Sequence, residues 1–248
     1  MLLILAAAAG APAAWPVSCS SNASARDVLG HVDLSGSVIL TTGADGHIAS
    51  QLNVALAQAN ASLILCCYSA EKCNQSKQAI LDRSSLGPER VDTVPLDLSA
   101  SGSIRDAAQH VLRKYGGGLD ALVSAAGSYS TRMTHDGFVS AMEINLLGHV
   151  LLTELLLPAL RKKRGRVVNV AAAVYGTTVA ANTSVEDLTQ IATHVDAHLN
   201  QTGGYFPLSK LLFIHHAVEL SKREPSLTTF AVNPGYAVEV RQNRFQRE

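Results

Sequence analysis

The chain has no excess of charge: its 20 basic and 20 acidic residues cancel over 248 positions. A nucleic-acid or acidic-surface partner needs a basic footprint, and nothing here supplies one. The single basic run, Arg161-Lys162-Lys163-Arg164, falls between a helical and a strand-like stretch and reads as a solvated turn. Cysteine is scarce, with four residues at 19, 66, 67 and 73. Cys66 and Cys67 are adjacent in a strand-like run, so they point to opposite faces, and no Cys-x-x-Cys spacing occurs. Buried free thiols are therefore expected, with no disulfide framework and no metal site. The apolar run at residues 1–14 is too short to span a bilayer and has no Lys or Arg before it. Residues 1–30 thus read as a leader, either a signal or anchor or a disordered extension. The five Asn-x-Ser/Thr sites, at Asn22, Asn60, Asn74, Asn182 and Asn200, lean weakly towards secretory entry. Localisation stays open between the cytoplasm and the secretory pathway.

What is present is a strand-helix alternation. Apolar runs at 37–41, 62–68, 91–96, 121–124, 166–170 and 228–232 read as strands. Helical patterns lie after residue 47 and over 71–84, 103–114, 139–160 and 207–221. The strands are apolar throughout instead of alternating, which implies a parallel sheet covered on both faces. The expected fold is a single α/β domain over 31–248, a doubly wound parallel sheet of Rossmann type. A helical insertion at about 184–200 interrupts it: Ser184-Val185-Glu186-Asp187 has the form of a capping box, and Leu188, Ile191, Ala192, Val195 and Leu199 share one face. It follows the fifth strand, so it covers either a ligand side or a neutral surface.

The first strand ends in Thr42-Gly43-Ala44-Asp45-Gly46, a turn that brings backbone N–H groups to a helix N-terminus, where a pyrophosphate is readily held. Alone this signal is weak. In order there follow Asp97-Leu98 after the third strand, Ala126-Gly127 after the fourth, Asn145 in the long helical run, Asn169-Val170 on the fifth strand, Lys210, and Asn233-Pro234-Gly235 after the sixth.

As a set, over about residues 36–240, these resemble the short-chain dehydrogenase/reductase family, nearest its retinol dehydrogenase and carbonyl reductase branches. The resemblance implies hydride transfer between a carbonyl and an alcohol, NADP or NAD as cofactor, a small-molecule carbonyl or alcohol substrate, and a homo-oligomer. It assigns the cofactor to Thr42, Gly43, His47, Ile48, Asp97, Leu98, Ala126, Gly127, Lys210, Pro234 and Gly235, and a relay role to Asn145. In the family a tyrosine handles the substrate proton, a lysine lowers its pKa and holds the ribose, and a serine orients the substrate oxygen. Lys210 matches the lysine. The tyrosine position is Phe206 and the serine position Ala172. His47 stands at the second glycine, where a side chain is expected to crowd the pyrophosphate, and Ala49 at the third. Cys67 and Tyr68 stand where an acid or an arginine selects the cofactor, so that preference is not legible. Glu239 replaces a threonine, and the family's last strand is missing after the sixth.

Three readings follow. The first is a degenerate member that keeps the fold and a weakened groove. The second is a working reductase in which Tyr205, just before the helix, serves with Lys210 and Asn145; Tyr175 is a remoter candidate. The third is a non-enzymatic interaction protein.

Overall fold

The structure is a computed structural model and describes residues 28–29, 32–173, 185–197, 199 and 204–235. Six strands form one parallel sheet: β1 (Val38–Thr42), β2 (Ser62–Cys67), β3 (Val91–Pro95), β4 (Ala121–Ser124), β5 (Arg166–Val170) and β6 (Thr228–Val232). Their order is β3-β2-β1-β4-β5-β6, which reverses direction between β1 and β4. That reversal opens a crevice at the carboxyl ends of the strands, where ligands bind in open α/β sheets. The helices are α1 (His47–Gln58), α2 (Ala70–Leu81), α3 (Ser101–Lys114), α4 (Gly148–Lys162), α5 (Val185–Thr193) and α6 (Tyr205–Arg223).

The reason for the apolar strands is visible in the core. Ile39, Leu63, Leu65, Val123 and Val168 face one side, with Leu52 and Leu56 of α1. Leu40, Ile64, Leu122 and Val167 face the other, with Ile104 and Val111 of α3 and Leu152, Leu156 and Leu160 of α4. Neighbouring strand residues point to opposite faces, and both faces are covered, so neither can be polar.

The helix boundaries differ from expectation in four places. The helix read at 71–84 ends at Leu81, with Asp82 at its C-cap. α3 starts at Ser101, and α6 starts at Tyr205 instead of 207. Pro207 is the third residue of α6, still in the first turn, where no intrahelical donor is needed. The run at 139–160 is not one regular helix: a single α turn, Ser140–Met142, passes into a π turn, Glu143–Leu147, and only then into α4. The whole run is apolar enough to pass for a membrane span, yet 61% of its most apolar window is buried inside the domain, so it is a core helix.

The inserted helix α5 does not stand apart. Ala192, Leu199, Tyr205 and Leu208 pack with Val139 and Met142 in a third apolar cluster. The Val139 N–H donates to the Ala192 carbonyl at 2.7 Å. The insertion is thereby clamped over the start of α6 and the turn before the π segment.

One cysteine expectation is corrected. Cys67 is bonded to Cys73, with Cα atoms 5.6 Å apart, and Cys66 is the free buried thiol among the described residues. Adjacency keeps Cys66 and Cys67 from pairing with each other, but the first turn of α2 folds back over the end of β2 and brings Cys73 to Cys67. The expectations for residues 1–27, for the capping residue Ser184 and for a missing last strand beyond 235 fall outside the described residues.

Gly148 opens α4 where it passes the β3–α3 connection. A Cβ there would lie 2.4 Å from the Leu98 carbonyl oxygen and 3.2 Å from that of Glu143. Backbone on both sides cannot move cheaply. Gly148→Ala is expected to destabilise the domain by about 1–3 kcal/mol, visible as a melting temperature lowered by several degrees in a calorimetric scan.

Candidate functional site

The crevice is a groove of about 530 Å3 running over the ends of β1 to β4. Five of the residues singled out in the sequence line it: Gly43, Asp97, Leu98, Ala126 and Gly127. Gly43 sits at φ +58°, and a Cβ there would come 2.8 Å from the Ala126 Cα. Only glycine lets the β1 turn press this closely on the β4 loop. α1 then begins at His47 with neither a capping side chain nor an acid in its first turn. Its N-cap residue, Gly46, lines the groove, and a helix N-terminus at a groove suits an anion. His47 is exposed and is not among the groove-lining residues. Tyr68, 80% exposed at the end of β2, lines the far end beside Asp97 and Leu98.

Thr42 lies beneath the groove. Its Oγ1 accepts from the N–H groups of Ala125 and Ala126, at 3.0 and 3.1 Å, and lies 2.8 Å from His149 Nε2. The two incoming donors leave the hydroxyl hydrogen for Nε2, which makes Nε2 an acceptor and puts the ring hydrogen on Nδ1. Burial first, and the charge of Lys210 second, push the His149 pKa down to about 3, so the ring is neutral. This interaction joins the phosphate-side turn, the β4 loop and α4.

Asn145 lies within the π turn and is fully buried. Its Oδ1 accepts from the Ser128 N–H at 2.7 Å, and its Nδ2 donates to the Ser128 carbonyl at 2.9 Å and to Ser209 Oγ at 3.0 Å. All of the side-chain donors are used, so the amide ties the β4 loop to α6 and has no hydrogen to spare for a water. Asn169 is likewise turned away from the groove: its Nδ2 bonds the Phe213 carbonyl and lies 3.1 Å from His216 Nδ1.

Lys210 is 4% exposed, and its Nζ donates to the Val170 carbonyl at 2.7 Å. Burial pushes its pKa down to about 8. The same ammonium lies 5.6 Å from the ring centroids of both Phe206 and Phe213, and a Cβ on Gly127 would be 3.8 Å from it. Lys210 thus lies behind Gly127, one of the residues that line the groove. Ala172 follows β5 by two residues and is half-buried, carrying a methyl where a hydroxyl was the alternative. Pro234 and Gly235 follow β6, whose Val232 is in register with Val170, so they lie at the same end of the sheet as the Lys210 anchor. Thr42, His47, Ile48, Lys210, Pro234 and Gly235 are not groove-lining residues.

A family profile described as short chain dehydrogenase matches residues 37–196. The chain belongs to the short-chain dehydrogenase family. Its curated relatives place it on the retinol dehydrogenase-like branch. Retinol dehydrogenase 13 of Mus musculus is 32% identical over 207 residues, covering 82% of this chain and 59% of the relative. Retinol dehydrogenase 11 of Homo sapiens is 32% identical over 227 residues, covering 87% of this chain and 66% of the relative. The chain therefore spans less than two thirds of the length of these relatives. Among solved structures, a protein of Mycobacterium paratuberculosis superposes with a TM-score of 0.66 at 26% identity, covering 83% of this chain and 70% of that one. A Shigella flexneri short-chain dehydrogenase solved with NADP has a TM-score of 0.63 at 23% identity, covering 82% and 78%.

Within this short-chain dehydrogenase domain, the assignment of Tyr205 to the catalytic centre is corrected. Its ring is buried in the third apolar cluster. Its hydroxyl accepts from the Asp196 N–H at 2.6 Å and donates to the His194 carbonyl at 3.0 Å. Tyr205 is already helical, and residues five apart on a helix differ by about 140°, so it points away from Lys210. Tyr175 and Glu239 lie outside the described residues.

The sequence reading missed three side chains at the site. His149 was legible, because it stands four residues after Asn145 on an apolar helix face, where a polar residue needs a partner. Ser209 had no such signal. Tyr129 was passed over because nothing local links the β4 loop to Phe206, yet their rings stack with centroids 4.0 Å apart and planes at 21°.

Two expected outcomes follow. Tyr205→Phe lowers stability by about 1–3 kcal/mol in urea unfolding, because the Asp196 N–H and the His194 carbonyl are left without that partner. The lysine gives a pH effect. Below pH 8 both folded and unfolded chains hold the Lys210 proton, and the cost of burying the charge stands in full. Between about 8 and the ordinary value of 10.5 the folded chain has released it while the unfolded chain keeps it. More protons on the unfolded chain mean that this contribution to stability rises with pH. Unfolding titrations of wild type and Lys210→Met from pH 7 to 10 should show a stability difference that moves in favour of wild type as pH climbs through 8.

Proposed function

We propose that this domain binds a nicotinamide dinucleotide and serves hydride transfer between a carbonyl and an alcohol, with proton transfer impaired at the two positions that usually support it. The observation that carries this reading is the open groove, lined by the Gly43 turn up to the Gly46 N-cap of α1 and by Gly127, with the buried ammonium of Lys210 behind Gly127. The residues present fit the cofactor. The Gly43 turn and the first turn of α1 would hold a pyrophosphate through backbone N–H groups. Tyr68, Asp97 and Leu98 would flank the adenosine, with Ala126 and Gly127 beneath it. Lys210 gives one N–H to Val170 and keeps its others for ribose hydroxyls. Pro234 and Gly235 stand at the nicotinamide end. When bound, the dinucleotide supplies or accepts the hydride. Membership of the short-chain dehydrogenase family supports the reaction class, and a relative of the same fold was solved with NADP. The lining offers neither an acid nor a guanidinium at Tyr68, so NADP and NAD remain equal candidates.

The chain's own residues limit the chemistry. Ala172 cannot hydrogen-bond a substrate oxygen. Phe206 has a ring at the family's tyrosine position and no phenol. Losing one member of such a unit is already severe, while binding and orientation persist. NADPH and NADH titrated into the full chain, followed by nucleotide fluorescence, should saturate in the micromolar range. A folded sample that does not saturate with either overturns the reading and leaves a scaffold for protein partners.

A further inference from the structure

We propose that Tyr129 is the proton donor of this site, supplying from the β4 loop the phenol that Phe206 lacks on α6. The proposal rests on the hydride-transfer reading above and deepens it.

The placement is specific. Tyr129 stands two residues after Gly127, whose missing side chain would come 3.8 Å from Lys210 Nζ. Its ring lies nearly flat on the Phe206 ring, and the Lys210 ammonium lies 5.6 Å from the centroid of that same Phe206 ring. The Tyr129 ring is therefore held one ring thickness from the ring of residue 206. The stack costs Tyr129 nothing at its hydroxyl. That residue is 76% exposed, and its oxygen has no hydrogen-bond partner among the described residues. Among the described residues, the other tyrosines are bonded elsewhere or lie far from Phe206. Tyr205 is held by His194 and Asp196, Tyr115 lies against Asp92, and Tyr68 is at the opposite end of the groove.

The chemistry balances as a carbonyl reduction. The carbonyl carbon receives hydride from the reduced dinucleotide, forming the C–H bond as the π pair moves to oxygen. That oxygen takes the proton from Tyr129, whose O–H bond breaks to leave a phenolate. Because the edge of Tyr129 is open to solvent, water returns the proton. The apolar rings of Phe206 and Tyr129 would face the substrate, so the class favoured is an aldehyde or ketone on an apolar or aromatic frame.

Tyr129→Phe keeps the ring and the stack and removes only the oxygen, which separates proton donation from packing. The experiment uses the full chain, NADPH fluorescence for binding, and NADPH oxidation with benzaldehyde and all-trans-retinal for turnover. Tyr129→Phe should lose about 100-fold or more in kcat, the usual scale of general-acid catalysis, with NADPH affinity unchanged. Adding Phe206→Tyr to that variant should restore turnover. Full turnover in Tyr129→Phe overturns the proposal. So does a wild-type chain that binds NADPH and reduces neither aldehyde, an outcome that leaves the cofactor reading standing. Failure of a folded wild-type chain to bind NADPH would instead bring down the reading on which the proposal rests.

Discussion

The site depends on one buried side chain, the amide of Asn145. It sits inside a helix, where a polar residue has no backbone donor to satisfy, and the π turn around it turns the amide outward from the regular ladder. Its three hydrogen bonds reach Ser128 twice and Ser209 once. Ser128 belongs to the loop that carries Gly127 and Tyr129, and Ser209 neighbours Lys210 on α6. The amide therefore fixes the distance between the groove floor and the lysine behind it. An unpartnered amide here would be costly in an interior of low dielectric, so the loop and the helix are held in one arrangement.

The electrostatics follow from this placement. Lys210 is buried with one carbonyl and two aromatic faces and no carboxylate beside it. Its charge is destabilised, and its pKa falls to about 8. A cation left short of partners is poised to bind oxygen atoms of a ligand. The same charge reaches His149 and helps to keep it neutral, which preserves that ring as the acceptor for Thr42. Lysine, histidine and threonine thus form one coupled interior although they come from three separate elements.

Much of the fold could be read from the chain. Three strands, 121–124, 166–170 and 228–232, lie where the apolar runs put them, because a strand buried on both faces leaves a continuous apolar signature. Gly43, Asp97, Leu98, Ala126 and Gly127 were legible as groove residues through the family resemblance, which matches short motifs in the loops that follow the strands. Helix boundaries were harder. The π turn at Glu143–Leu147 does not disturb the apolar periodicity enough to show, and α6 begins before its proline because the first turn tolerates one. Tyr205 was misread for a geometric reason: its direction depends on whether it is the last loop residue or the first helical one.

By itself the sequence determined the parallel sheet, the crevice at its strand ends and the identity of what stands at each position, including a phenylalanine at 206 and an alanine at 172. Those properties are set by hydrophobic period, turn residues and local chain geometry, which act over a few residues. Only the tertiary structure decided the partners: Tyr129 upon Phe206, Tyr205 upon the His194–Asp196 backbone, Cys67 with Cys73, and Thr42 with His149. Two of these contacts join residues far apart in the chain, and all of them depend on how packed elements approach and how their side chains are turned. No spacing in the sequence encodes that approach; it appears only when the layers close on one another.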